Sequence, residues 1–204
     1  YADIELETTY DYNPDKANQL LDEAGWVMNE STGIREKDGE PLNLLLTLES
    51  DYSATSMPTA EVIKSQLAEV GIDVTIYGTE QMQWYADYLE GKFDLTLWHS
   101  QFAFASPHCW FTPMDSMVPQ TPSLPGIEGS DEFLATIKNL TNMVDEQEVR
   151  DTYTYLFNFD IGTALDIPLT YQKDMIVYNT DKISGYTFTG TPYFFDILSL
   201  KPAE

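Results

Sequence analysis

A chain of 204 residues, 43% of them apolar, is long enough for one domain with a full core and falls outside the disordered class. Its formal net charge of -24, from 34 acidic against 10 basic side chains, disfavours nucleic acid and anionic membrane surfaces, which call for clustered Lys and Arg. The single cysteine, Cys109, excludes an internal disulfide and a thiolate metal cluster.

The first predicted element is a helix over Pro14 to Ala24. Asn13 is its N-cap, Pro14 suits the first helical position, and Asp15 lies where the macrodipole favours an anion. Ala17, Leu20, Leu21 and Ala24 fall on one face, Gly25 can take the left-handed conformation that stops the helix, and Trp26 can fold back onto its last turn. Ile34 to Leu42 reads as a strand end, an Asp38-Gly39 turn and a second strand start. The apolar run Leu42 to Leu48 suits a strand covered on both faces, hence an α/β sheet.

Ala60, Ile63, Leu67 and Val70 then form one helical stripe closed by Gly71. Ile72 to Tyr77 alternates as a half-buried strand, and Met82, Tyr85, Tyr88 and Leu89 return to helical spacing before Gly91. Phe93 to Trp98 is a third strand, and this alternation of helix and strand predicts a largely parallel sheet. From His99 to Gly129, five prolines and four aromatic residues break the periodicity, which predicts a structured loop beside a site. Two helices follow, near 131–144 and 146–164, with Phe133, Ile137, Leu140 and Val144 on the first and Val149, Tyr153, Leu156 and Phe157 on the second. Ile167 to Tyr171 and Met175 to Tyr178 read as short final strands.

No zinc-protease His pair, nucleophile elbow or Cys–His pairing is present, so a non-enzymatic role is expected. A carboxylate pair of the glycoside-hydrolase kind is the rival class. Gly185 and Gly190 have phosphate-loop spacing but lack the Lys and the following helix, which excludes nucleotide binding. With only Arg35 and Arg150, the chain cannot by itself build a bidentate clamp for a ligand's carboxylates. Most of its own carboxylates read as a solvated surface. No apolar run reaches membrane-spanning length, and the residues from Tyr1 to Glu5 lack the features of a secretory signal.

Taken in order, Asn13-Pro14-Asp15 through Ala24-Gly25-Trp26, Arg35-Glu36-Lys37-Asp38-Gly39-Glu40-Pro41-Leu42, Ala60-Glu61-Val62-Ile63, Val70-Gly71-Ile72-Asp73-Val74, Gly91-Lys92-Phe93-Asp94, Trp98 and Ile167-Pro168-Leu169 resemble the C-terminal lobe of the extracytoplasmic solute-binding proteins of peptide and nickel ABC importers, family 5. The resemblance covers nearly the whole chain. Ser106-Pro107-His108, Met114 and the tail from Gly185 to Thr191 through Phe195-Asp196 to Lys201-Pro202 lean toward the nickel-binding branch.

The resemblance implies an α/β fold: one C-terminal lobe, residues 1–204, of a two-lobed periplasmic-binding-protein-like architecture (type II, cluster C), with a mixed sheet flanked by helices and the N-terminal lobe lying outside this sequence. It implies a monomer outside the cytoplasm, in a periplasm or lipid-anchored at the cell surface, that docks on the importer's membrane subunits. Its ligand is nickel as a small chelate, or a peptide, and no intrinsic cofactor is expected. Trp98, at a strand end where open α/β sheets present ligand contacts, is then an aromatic wall, though a core tryptophan is the alternative. Phe102 and Phe104 lie in an insertion where one of them replaces a pocket tyrosine. Tyr186 and Thr191, with Thr189, flank the chelate, unless they serve only the turns around Gly185 and Gly190. His99 and His108 are the candidate metal ligands, with His99 on the opposite sheet face from Trp98 and His108 also readable as a structural residue at a helix start. Val118-Pro119-Gln120-Thr121 stands where the branch carries its metal-contacting histidine, which favours a metal already held by its chelator.

Overall fold

A computed structural model describes residues 1, 3–99, 107–115, 122–170, 175–188 and 196–203. Helix α1 (Pro14–Glu23) begins as its sequence dictates: the Asn13 side chain accepts the Lys16 N–H at 2.9 Å, and Pro14 follows the cap. Gly25, at φ +86°, turns the chain, and the Trp26 N–H closes onto the Leu21 carbonyl at 2.9 Å. The apolar stripe expected of this helix is not buried. No residue of α1 is buried and Leu20 is exposed, so the helix is held by its caps and by a polar anchor.

That anchor is Arg35, on the middle strand of an antiparallel meander of β1 (Val27–Asn29), β2 (Ile34–Lys37) and β3 (Glu40–Pro41). Asp38 and Gly39, at φ +54° and +85°, make the two-residue turn between β2 and β3. The buried Arg35 guanidinium donates to Asp22 at 2.5 Å, the Trp26 carbonyl at 2.6 Å, Asn18 at 2.7 Å and the Val70 carbonyl at 2.8 Å. One side chain thereby joins α1, the meander and the end of the next helix.

The central sheet is parallel, in the order β5 (Asp73–Thr79), β4 (Asn43–Glu49), β6 (Leu95–Leu97). Crossovers through α2 (Ser56–Ala68) and α3 (Gln81–Leu89) make that order possible, because parallel neighbours cannot be joined by a hairpin. Leu46 and Leu48 of β4, Val74 of β5 and Leu97 of β6 pack with Ala60 of α2 into one core. Alternate residues turn to the opposite face, where the Trp84 indole N–H of α3 donates to Thr96 Oγ1 at 3.2 Å. On α3 the buried side chains are Trp84, Asp87 and Tyr88, whereas Met82 and Leu89, expected inward, are exposed. Parallel and antiparallel pairing both occur, in separate sheets.

A helical layer follows: α4 (Pro107–Phe111), a 3-10 turn Thr112–Asp115, another at Leu124–Gly126, then α5 (Ser130–Asn139) and α6 (Glu146–Gly162). Phe111, Met114, Leu124, Phe133, Ile137, Leu140, Tyr153 and Leu156 form its core. The first of the two long predicted helices ends at Asn139 and tightens to a 3-10 turn at Leu140–Asn142, which leaves Val144 outside the stripe and exposed. The strands expected at 167–171 and 175–178 do not form among the described residues. Ile167 and Leu169 are exposed, and Met175 and Val177 are 90% and 97% exposed; among the described residues no strand lies alongside them to complete their backbone bonds. A small antiparallel pair, β7 (Ile183–Gly185) with β8 (Lys201–Pro202), lies beyond the elements the periodicity predicts.

Candidate ligand-binding edge

The carboxyl ends of the three parallel strands place a row of side chains on the α3 face. Glu49 of β4 is in register with Thr79 of β5, and Trp98 follows the Leu48–Leu97 pair on the other side. Carboxyl ends are where open α/β sheets present ligand contacts. Trp98 tilts over Trp84 and Tyr88 of α3, with ring centroids 5.0 and 4.9 Å away, and Phe93 stacks on Tyr88 at 5.4 Å. The indole is still 38% exposed, so it lies at the surface on an aromatic bed. Glu49 is only 8% exposed, and among the described residues neither a hydrogen bond nor an ion pair reaches its carboxylate. Beside it, Thr79 Oγ1 is sequestered without a hydrogen-bond partner.

His99 turns to the other face, as the alternation predicts. Its imidazole stacks on Tyr52 at 3.9 Å between centroids, and Nε2 lies 3.3 Å from the hydroxyl of Ser56, the first residue of α2. Burial holds its pKa below the ordinary histidine value, which keeps the ring neutral at neutral pH. A neutral imidazole suits a metal, but Nε2 is already engaged with Ser56, and the ring is turned away from the Trp98 row.

His108 sits in α4, one residue before Cys109, within the helical layer and on a different element from His99. No group of three or more His, Cys, Asp or Glu side chains is placed to hold a metal among the described residues. Tyr186 stands just past β7, where its hydroxyl accepts the Asp196 N–H at 3.1 Å and its ring meets Phe188 edge-on. Phe102, Phe104, Thr189 and Thr191, like Val118 to Thr121, lie outside the described residues. Glu49, Thr79, Tyr52 and Ser56 escaped the sequence reading. Strand register was the signal that could have found Glu49 and Thr79, since both close the strands that flank the Trp98 strand in a parallel sheet.

Neither arginine serves this edge. Arg35 is spent on the anchor described above, and Arg150 of α6 pairs with Asp3. Lys92, just after α3, pairs with Glu90 at 2.7 Å and Asp87 at 3.3 Å. An open acidic groove between α5 and α6, lined by Glu132, Asp145, Glu148 and Asp151, belongs to the helical layer and not to the sheet edge.

Residues 1–121 match the family model described as bacterial extracellular solute-binding proteins, family 5 Middle. The chain is 28% identical over 180 residues to the nickel-binding periplasmic protein of Escherichia coli (strain K12), a match that takes in 87% of this chain and 34% of that relative. A shorter stretch of 69 residues, 34% of this chain and 11% of the relative, is 42% identical to the oligopeptide-binding protein OppA of Lactococcus lactis subsp. lactis (strain IL1403). Among solved structures, NikA from Brucella suis in complex with Fe(III)-EDTA superposes with a TM-score of 0.88 at 29% identity, over 98% of this chain and 40% of that one. The oligopeptide-binding protein AppA of Bacillus subtilis, in complex with a nonapeptide, shares the fold at a TM-score of 0.62 and 17% identity, over 99% of this chain and 40% of that one. The chain thus spans about a third of the nickel-binding relative and 40% of the two solved relatives.

Proposed function

This chain belongs to the bacterial extracellular solute-binding proteins, family 5, and on that premise we propose that it forms one lobe of a two-lobed receptor that binds nickel as a small chelate and delivers it to the membrane subunits of an ABC importer. The observation that carries the choice of ligand is the breadth of likeness in sequence: the nickel-binding relative aligns in sequence over most of the chain, whereas the oligopeptide-binding relatives do so over short stretches. The exposed apolar segment at Ile167, Leu169, Met175 and Val177 supports a second lobe that covers it. The ligand rests against the Trp98 indole at the sheet edge, and the opposing lobe closes over it by a hinge motion and supplies the cationic contacts that this chain spends elsewhere. Binding is stoichiometric and involves no turnover. The receptor works outside the cytoplasm, and no helix among the described residues is long and apolar enough to cross a membrane.

Peptide capture is the second reading, favoured by the higher local identity to OppA. Calorimetry on the intact receptor separates the two. Nickel with free L-histidine should bind tightly and a dipeptide mixture should not, and tight binding of dipeptide with no response to nickel overturns the nickel reading.

A further inference from the structure

We infer that Glu49 is a charge-selecting residue of the binding edge: with the Trp98 indole beside it, it favours ligands that present a cationic, N–H-bearing group and disfavours polyanionic chelates. The inference rests on the reading that the carboxyl edge of the central sheet faces the ligand.

Three observations converge on it. Glu49 ends the central strand between Thr79, its register partner on β5, and Trp98, which follows the Leu48–Leu97 pair, so the three side chains share a face at the strand ends. Glu49 is only 8% exposed as a residue, and no arginine, lysine or backbone N–H among the described residues reaches its carboxylate, while Arg35, Arg150 and Lys92 are all paired elsewhere. An unpaired carboxylate at the strand ends favours a partner that brings a compensating charge with hydrogen-bond donors. The third observation is chemical. An indole face attracts cations through its quadrupole, so Trp98 and Glu49 favour the same charge, and the unpartnered Thr79 hydroxyl can accept a second N–H.

The shared chemistry is a positively charged nitrogen group, either an amine or imidazole polarised by a bound metal or a free α-ammonium. A chelate whose outer surface is carboxylate meets repulsion at the same place, undiminished by any neighbouring cation among the described residues.

The test is titration calorimetry on the intact receptor with four probes: nickel–L-histidine, nickel–EDTA, trialanine and N-acetyl-trialanine. Nickel–L-histidine should bind at least about tenfold more tightly than nickel–EDTA, as expected for a carboxylate within a few ångströms of the ligand charge in a partly desolvated site. Glu49→Gln, which keeps the side-chain shape, should erase most of that ratio, and Thr79→Val should lower affinity for nickel–L-histidine without reversing the order. If the α-ammonium is the source, trialanine binds, N-acetyl-trialanine does not, and Glu49→Gln removes the difference. Tighter binding of nickel–EDTA by the wild type, or an unchanged ratio in a folded Glu49→Gln variant, overturns the inference and leaves the receptor reading standing. Failure of all four probes to bind overturns both.

Discussion

The backbone N–H of Arg35 donates to the carbonyl of Gly71 at 2.7 Å, and a Cβ placed on Gly71 would stand 2.8 Å from Arg35 Cγ and 2.7 Å from Met28 Cε. The glycine that stops α2, at φ +82°, is therefore also the seat on which the meander docks. Gly71→Ala should cost about 1–2 kcal/mol for the left-handed backbone and roughly 1–3 kcal/mol more for overpacking. Gly33, at φ +72° with open space around it, is the control and should show the backbone cost alone. Urea denaturation of the two variants checks this, and equal losses would mean that the contact at Gly71 relaxes freely.

Asp160 gives the fold a pH dependence. It is buried near the end of α6, the Trp110 indole N–H donates to its Oδ2 at 3.0 Å, and its Oδ1 has no partner. Burial first, and then the neighbouring Asp166 carboxylate, push its pKa up to about 8, against the opposing pull of the Trp110 hydrogen bond. An unfolded aspartate ionises near 3.8, so the folded state holds the proton over the window between that value and about 8. The stability linked to this proton is fully present below the lower value, is lost as pH rises through the window, and is constant above it. Asp160→Asn keeps an acceptor for Trp110 without the charge. Its stability should fall less steeply than that of the wild type between pH 4 and 8, and parallel curves from denaturant melts across that range would contradict a protonated Asp160 in the folded state.

Local elements were legible because short-range chemistry decides them. Asn13 and Pro14 open α1, Asp38-Gly39 makes its turn, and Gly25, Gly71 and Gly91 each take the positive φ that ends a helix. The parallel pairing of β4 with β5 and β6 followed from apolar runs alternating with helical stripes, whereas the strand order did not. What depends on a partner across space was less legible. The stripe on α1 and the apolar residues Ile167, Leu169, Met175 and Val177 have the patterns of buried elements yet remain exposed, because pattern records what a segment is suited to bury and not whether its cover is at hand. In α3 the inward face was mistaken because Trp84 reaches Thr96 by a hydrogen bond, and an apolar count does not register that contact. At the edge, Trp98 stood out by residue type and position, while Glu49 looked like one more surface carboxylate until strand register placed it beside Trp98.

Trp84 and Trp98 touch one another, yet they should answer to different measurements. Trp84 is buried, bonds Thr96 and supports both Trp98 and Tyr88, so Trp84→Ala leaves a cavity under the sheet and should cost about 3–5 kcal/mol of stability. Trp98 buries one face and leaves the other open, so Trp98→Ala should cost roughly half as much. Its larger effect should fall on binding, where losing an aromatic anchor costs about 2 kcal/mol or more of affinity for nickel–L-histidine. Thermal melts and calorimetry on the same two variants separate these roles. If Trp98→Ala loses as much stability as Trp84→Ala and binds nickel–L-histidine as tightly as the wild type, Trp98 is a packing residue and the ligand lies elsewhere.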